Sequence, residues 1–111
     1  MSYLRTCAFA HCSNLSAVDF QSVSTIAPST FAFCSALTSV SFPAAQYIQN
    51  GAFRQCYALT SINFPIASQI ETYAFINCTS LTTAIFPSAL SIGYEAFWYC
   101  SALTSISFPV A

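Results

Sequence analysis

The residues best equipped for chemistry in this chain are six cysteines and a single histidine. Five of the cysteines are spaced like rungs, since Cys12, Cys34, Cys56, Cys78 and Cys100 stand 22 residues apart. Thiols in such a row could pair as disulfides, hold a metal, or simply be buried. A disulfide needs converging Cβ vectors and a dihedral of about 90°, whereas stacked equivalents point the same way. The row is therefore expected to be a structural thiol ladder, each sulfur packing as a small apolar group. Cys7 lies off the row, and no Cys-x-x-Cys zinc spacing occurs. His11 stands beside Cys12, but its column is filled elsewhere by Phe33, Gln55, Asn77 and Tyr99. Nucleophilic catalysis needs a nucleophile, a base and an orienting group within reach. One histidine and three scattered acids, Asp19, Glu71 and Glu95, do not assemble that set. The chemistry points away from an enzyme, and neither a cofactor nor a metal site is expected.

What positions those cysteines is a repeat. Leu37-Thr38-Ser39-Val40-Ser41-Phe42-Pro43 returns as Leu59 to Pro65, Leu81 to Pro87 and Leu103 to Pro109, with a degenerate copy from Leu15 to Gln21. A fixed short period is the mark of a solenoid, in which each unit buries its inner face against its neighbours. The inward columns are Leu15 to Leu103, Val18 to Ile106, Phe20 to Phe108, Leu4 to Ile92 and Phe9 to Phe97. Val40-Ser41-Phe42 alternates with period two, which predicts a short strand with Val40 and Phe42 inward and Ser39 and Ser41 outward. Pro43 lacks an N–H and ends that strand. The second half of each unit, such as Ile92 to Tyr99, spaces its apolar residues more widely, as a tight turn or a single helical turn would. The expected fold is a repeat solenoid with a parallel sheet on one face and turns on the other. Residues 1–111 read as one domain of five 22-residue periods without distinct caps.

Composition limits the partners. Hydrophobic residues make up 56% of the chain and charged residues 5%, with a net charge of −1. Binding nucleic acid by counterion release takes several cationic side chains, and this chain has only Arg5 and Arg54. No apolar run reaches the length of a membrane span. The first residues lack the charged and apolar regions of a signal peptide.

The unit Ile92-Gly93-Tyr94-Glu95-Ala96-Phe97-Trp98-Tyr99-Cys100-Ser101-Ala102-Leu103-Thr104-Ser105-Ile106 resembles the BspA-like subclass of leucine-rich repeats. The Leu-x-x-Ile-x-Phe core matches the LxxLxL heart of those repeats. The resemblance implies a curved solenoid with strands on the concave side. It also implies an extracellular or cell-surface location, a role in adhesion or protein binding, and no catalytic residue within the repeat. Gln21 in place of Pro, Thr30 in place of Ala, and a column glycine found only at Gly93 depart from the pattern.

Two surfaces are candidates for contact. On the turn side, Phe33, Tyr57, Tyr73, Tyr94, Trp98 and Tyr99 occupy variable columns, where Tyr and Trp could meet a protein or glycan ligand or be half buried against neighbouring coils. The outward strand positions, such as Ser39, Ser41, Ser61 and Asn63, read as a solvated sheet face of small β-compatible residues. The ends form the second candidate surface. Met1 and Ala111 fall at the same phase of the repeat, so copies could stack head to tail through Tyr3, Leu4, Phe9, Leu103, Ile106 and Phe108. Open strand edges invite such pairing, and a heterologous contact can run on into a filament. A slice cut from a longer array would show the same phase. The expected function is a non-enzymatic scaffold for protein binding or adhesion at a surface, with a self-assembling structural subunit as the alternative.

Overall fold

A computed structural model describes residues 3–109. Tyr3 is described by its backbone alone, so the side chain named above lies outside the described residues. The chain winds as a parallel β-solenoid, and no helix occurs among the described residues. Each 22-residue coil carries a three-residue strand ahead of the proline and a two-residue strand further on. The longer strands are β2 (Ala17–Asp19), β4 (Ser39–Ser41), β6 (Ser61–Asn63), β8 (Thr83–Ile85) and β10 (Ser105–Ser107). The shorter are β1 (Tyr3–Leu4), β3 (Thr25–Ile26), β5 (Tyr47–Ile48), β7 (Gln69–Ile70) and β9 (Ser91–Ile92).

The expected strand is present with its expected faces. Ser39 and Ser41 face out while Phe42 closes the core, and Val40 is half buried beneath them. The structure adds a second ladder. The column Leu4, Ile26, Ile48, Ile70, Ile92, read from sequence as part of a turn segment, forms a continuous five-stranded sheet in the order β1-β3-β5-β7-β9. Each register step pairs residues one period apart, as Ile48 with Ile70. The longer strands form two pieces instead of one sheet, β2-β4 and β6-β8-β10.

Phenylalanine fills the space between the ladders. Phe31, Phe42, Phe53, Phe64, Phe75 and Phe86 are fully buried, as are Leu37, Leu59 and Leu81. Phe53 stacks on Phe75 with ring centroids 5.2 Å apart, and Phe42 meets Phe53 edge-on at 6.1 Å. Burying one such ring contributes about 1.5–3 kcal/mol. In a coil with so few charges, these columns are the main source of stability. Thr30, the polar departure from the alanine column, is buried with its hydroxyl donating to the Ala27 carbonyl at 2.7 Å. Gly93 is required by close approach: a Cβ there would lie 2.3 Å from the Thr72 nitrogen.

Candidate functional site

The turn after each short strand is built from an alternating hydrogen-bond pattern. Phe31 and Phe33 donate to the next coil, to the Ala52 and Arg54 carbonyls at 2.8 and 2.9 Å. Ala32 and Cys34 donate within their own coil, to Ser29 and Phe31 at 3.2 Å each. This alternation puts two residues per coil into left-handed backbone, among them Ser29 (φ 57) and Phe33 (φ 61), then Gly51 (φ 62) and Gln55 (φ 55), then Tyr73 (φ 63) and Asn77 (φ 61). A side chain on left-handed backbone carries a steric cost, largest for bulky residues. At these positions the sequence is free to vary because the side chains are not core columns.

The cysteine row closes the same turns from inside. Cys34, Cys56, Cys78 and Cys100 donate their thiols to the carbonyls of Phe9, Phe31, Phe53 and Phe75 at 3.1–3.2 Å. All six cysteines are free. Cys12, at the head of the row, is half buried, whereas Cys34, Cys56 and Cys78 are sealed. Burial pushes the Cys34 thiol above its ordinary range. The Cys100 thiol is pushed up too, first by its hydrogen bond with the Cys78 thiol and then by burial. The raised Cys34 and Cys100 thiols stay protonated at neutral pH, the less reactive form of the sulfur. His11 is exposed and stacks flat on Phe33 at 4.8 Å. No group of three or more potential metal ligands occurs among the described residues.

On the outer surface of the turns lies a pocket of about 530 Å³ lined by Ser29, Asn50, Arg54, Gln55, Tyr73, Ile76 and Trp98. It brings together two of the predicted contact residues, Tyr73 and Trp98. Tyr99 stacks on Trp98 at 4.9 Å, extending the aromatic surface. Phe33 is half buried and does not line the pocket, but the Arg54 guanidinium lies 5.2 Å over its ring. Tyr57 and Tyr94 are exposed but do not line the pocket. Sequence reasoning did not single out Asn50, Arg54 or Gln55. The signal was available in the columns: Arg54 is one period pair from Trp98, and Gln55 shares its column with Phe33 and Tyr99. The Gln55 carboxamide oxygen is sealed from solvent and has no hydrogen-bond partner.

The strand face, expected as a plain solvated surface, carries a groove of about 490 Å³ across β4, β6 and β8. It lies over the break between the two sheet pieces. At other seams a threonine one residue before the strand bonds to the preceding coil, as Thr82 N–H to the Thr60 carbonyl at 2.8 Å. The Thr38 and Thr82 hydroxyls add a second bond to the same acceptors, Ser16 and Thr60, at 3.1 and 3.0 Å. Phe20, Phe64 and Phe86 bond to the following coil on the far side of the strand at 2.8–3.0 Å. The β4–β6 seam lacks these links from Thr60 and Phe42. The end-to-end candidates divide by burial. Leu4 is buried, Phe9 and Leu103 are half buried, and Ile106 and Phe108 are 42% and 37% exposed.

A profile of the BspA type Leucine rich repeat region matches residues 1–68 in six copies. The chain belongs to this family. Solved structures agree with the leucine-rich-repeat assignment. A leucine-rich cell surface protein of Faecalibacterium prausnitzii A2-165 superposes with a TM-score of 0.93 at 30% identity, over 100% of this chain and 30% of that one. A leucine-rich repeat protein of Bacteroides ovatus ATCC 8483 gives 0.83 at 34% identity, over 87% of this chain and 26% of that one. A leucine-rich repeat protein of T. pallidum gives 0.92 at 29% identity, over 96% of this chain and 51% of that one. The leucine-rich-repeat chain thus spans about a third or less of the first two relatives and about half of the third. No curated protein matches it in sequence. For a leucine-rich-repeat scaffold, the invariant columns build the coil, and individuality resides in the variable turn and strand-face positions described above.

Proposed function

We propose that this leucine-rich-repeat chain is a non-enzymatic scaffold that binds protein or mediates adhesion at a cell surface, with the turn side as its contact surface. The observation that carries the reading is the cluster of Tyr73, Trp98 and Tyr99 around Arg54. Tyr73 and Trp98 are 38% and 49% exposed, and the three aromatics stand on turns whose backbone is held by hydrogen bonds between coils. Aromatic and arginine side chains on a rigid support are the usual anchors of protein contacts. Arg54 has no carboxylate partner among the described residues, so its charge is available. The surface location draws support from the F. prausnitzii relative, itself a cell surface protein, and no helix among the described residues is long and apolar enough to cross a membrane. The test is retention of chain-coated microspheres on cultured epithelial layers, against albumin-coated controls. The Trp98→Ala, Tyr99→Ala double variant should fall to the control level. Wild-type beads that do not adhere, or a double variant that adheres equally, would remove this reading.

A second reading, head-to-tail stacking of copies, draws on the exposed Ile106 and Phe108, whose counterparts Ile62 and Phe64 are buried. In a longer array the next coil would cover the same surface. Light scattering of the isolated chain separates the two: a mass near 12.0 kDa at micromolar concentration is incompatible with stacking.

A further inference from the structure

We propose that the turn-side pocket is a saccharide site that takes a neutral pyranose ring. The inference rests on the turn side being a contact surface, and it names the ligand class of one pocket within it. A pyranose presents a face of C–H groups and a rim of hydroxyls that both donate and accept. Its recognition needs an aromatic face beside a mixed set of donors and acceptors.

The pocket supplies the aromatic part through Tyr73 and Trp98. Tyr99 stacks on Trp98, and the Trp98 side chain stays half exposed. The polar part comes from Asn50, Gln55, Ser29 and Arg54. Two carboxamides and a hydroxyl can each donate and accept, and a guanidinium donates in a fixed fork. Gln55 is the most telling member. Its oxygen is sealed away with no donor, and its side chain forms no hydrogen bond that a ligand would have to break. The sealed oxygen is out of reach of a ligand, and the NH₂ group is the part of the Gln55 amide that a sugar hydroxyl can meet at the pocket wall. A buried acceptor left without a partner is an unusual feature of a folded protein.

The electrostatics select the neutral class. Arg54 contributes one positive charge, but Glu71 accepts a hydrogen bond from the backbone of the lining residue Asn50 at 3.0 Å. Glu95 belongs to the Trp98 turn, its carbonyl accepting the Trp98 N–H at 3.2 Å. The turns that build the pocket thus carry one positive charge, Arg54, against two negative ones, Glu71 and Glu95, and an acidic sugar gains nothing over its neutral parent. The volume, about 530 Å³, falls within the range of roughly 300–1,000 Å³ typical of small-molecule sites.

Trp98 is the only tryptophan, so fluorescence excited beyond the tyrosine absorption reports on this pocket alone. The full chain is titrated with D-glucose, D-galactose, D-mannose and N-acetyl-D-glucosamine up to roughly 100 mM, a range that covers the affinity expected of a single ring. At least one sugar should give a saturable change with a millimolar midpoint. Gln55→Ala and Tyr73→Ser should each weaken it about tenfold or more, while Tyr57→Ala, outside the pocket, leaves it unchanged. Circular dichroism checks that each variant is folded. A flat titration with all four sugars overturns the proposal, as does saturation indifferent to both pocket variants. Tighter binding of glucuronate than of glucose overturns the neutral class. Adhesion retained alongside a flat sugar titration removes only the saccharide site. Adhesion lost alongside an intact sugar titration removes only the protein-contact reading.

Discussion

The turn side and the strand side of this solenoid share one period but not one degree of order. On the turn side, Phe9, Phe31, Phe53, Phe75 and Phe97 stack at 5.2–5.3 Å with rings within 8° of parallel. At the ends of the longer strands, Phe20, Phe42, Phe64, Phe86 and Phe108 stack at 5.6, 6.1, 5.6 and 6.0 Å with tilts up to 25°. The widest of these steps, between Phe42 and Phe64, is the seam where the β4–β6 ladder is unmade. The turns are tied three ways: between coils, within coils, and by thiols to carbonyls. A closed strand seam has its ladder, the threonine before it and the phenylalanine amide after it, and the β4–β6 seam lacks the ladder and both of those links. Regularity follows the number of independent ties, and the better-tied side carries the aromatic pocket. A rigid support lowers the ordering cost of binding.

Core truncation should give the largest contrast. Phe53→Ala in the turn-side stack removes a fully buried ring and should cost about 3–5 kcal/mol. Phe108→Ala, partly exposed at the end of the strand-side stack, should cost well under half as much. Guanidinium unfolding monitored by circular dichroism measures both, and equal losses would mean that the two stacks are equivalent supports.

The thiol ladder is next. Cys56→Ala removes the thiol donor to the Phe31 carbonyl, which keeps its bond from the Cys34 N–H, so the loss should be that of one hydrogen bond, about 0.5–1.5 kcal/mol. Cys12→Ala, at the half-buried head of the row, should cost less. The ladder also predicts alkaline instability. Cys34 has its thiol pKa raised in the fold by burial, so the folded state keeps a proton that the unfolded state releases. The stabilising contribution is complete below the unfolded thiol pKa of about 8.5 and declines above it, by at most about 1.4 kcal/mol per pH unit for this one thiol. Thermal unfolding should therefore be insensitive to thiol ionisation at pH 7 and fall from about pH 8.5 upward. A Cys34→Ala variant should show a shallower fall, and parallel wild-type and variant curves would remove Cys34 from the account.

The open seam makes a subtler prediction. The Thr60 and Phe42 amides should exchange with deuterium roughly ten- to a hundredfold faster than those of Thr82 and Phe64, which bond across their seams. Uniform protection along both columns would close the seam in solution. Smallest of all, Tyr94→Ala, at a side chain 80% exposed, should shift stability by less than about 0.5 kcal/mol. A larger loss would place Tyr94 in a contact that stabilises the fold.

Much of this architecture was legible because a solenoid repeats each of its decisions. One column of Phe, one of Leu and one of Cys, each recurring every 22 residues, reveal the inward face without any long-range information. The strand at Val40–Phe42 was readable from its alternation and its proline, and it lies one residue earlier, at Ser39–Ser41. The short strand at Tyr47–Ile48 was not, because two residues are too few to show a period. It exists as a strand only through pairing with β3 and β7. The aromatic candidates were legible as variable columns, but not their grouping. Tyr73 and Trp98 lie in different columns of adjacent coils, and the pocket that joins them also takes Asn50, Arg54 and Gln55 from the coil before.

The sequence by itself determined the period, the inward columns, the place of the longer strands ahead of the proline and the shortage of catalytic material. These are local or periodic properties, carried by side-chain type and spacing. Only the tertiary structure decided which ladder is continuous and which is broken, that the thiols are spent on carbonyls 25 residues earlier, and which variable residues share a pocket. Those outcomes depend on how one coil settles on the next. That settling balances packing against hydrogen bonds over the whole stack, which no single repeat contains.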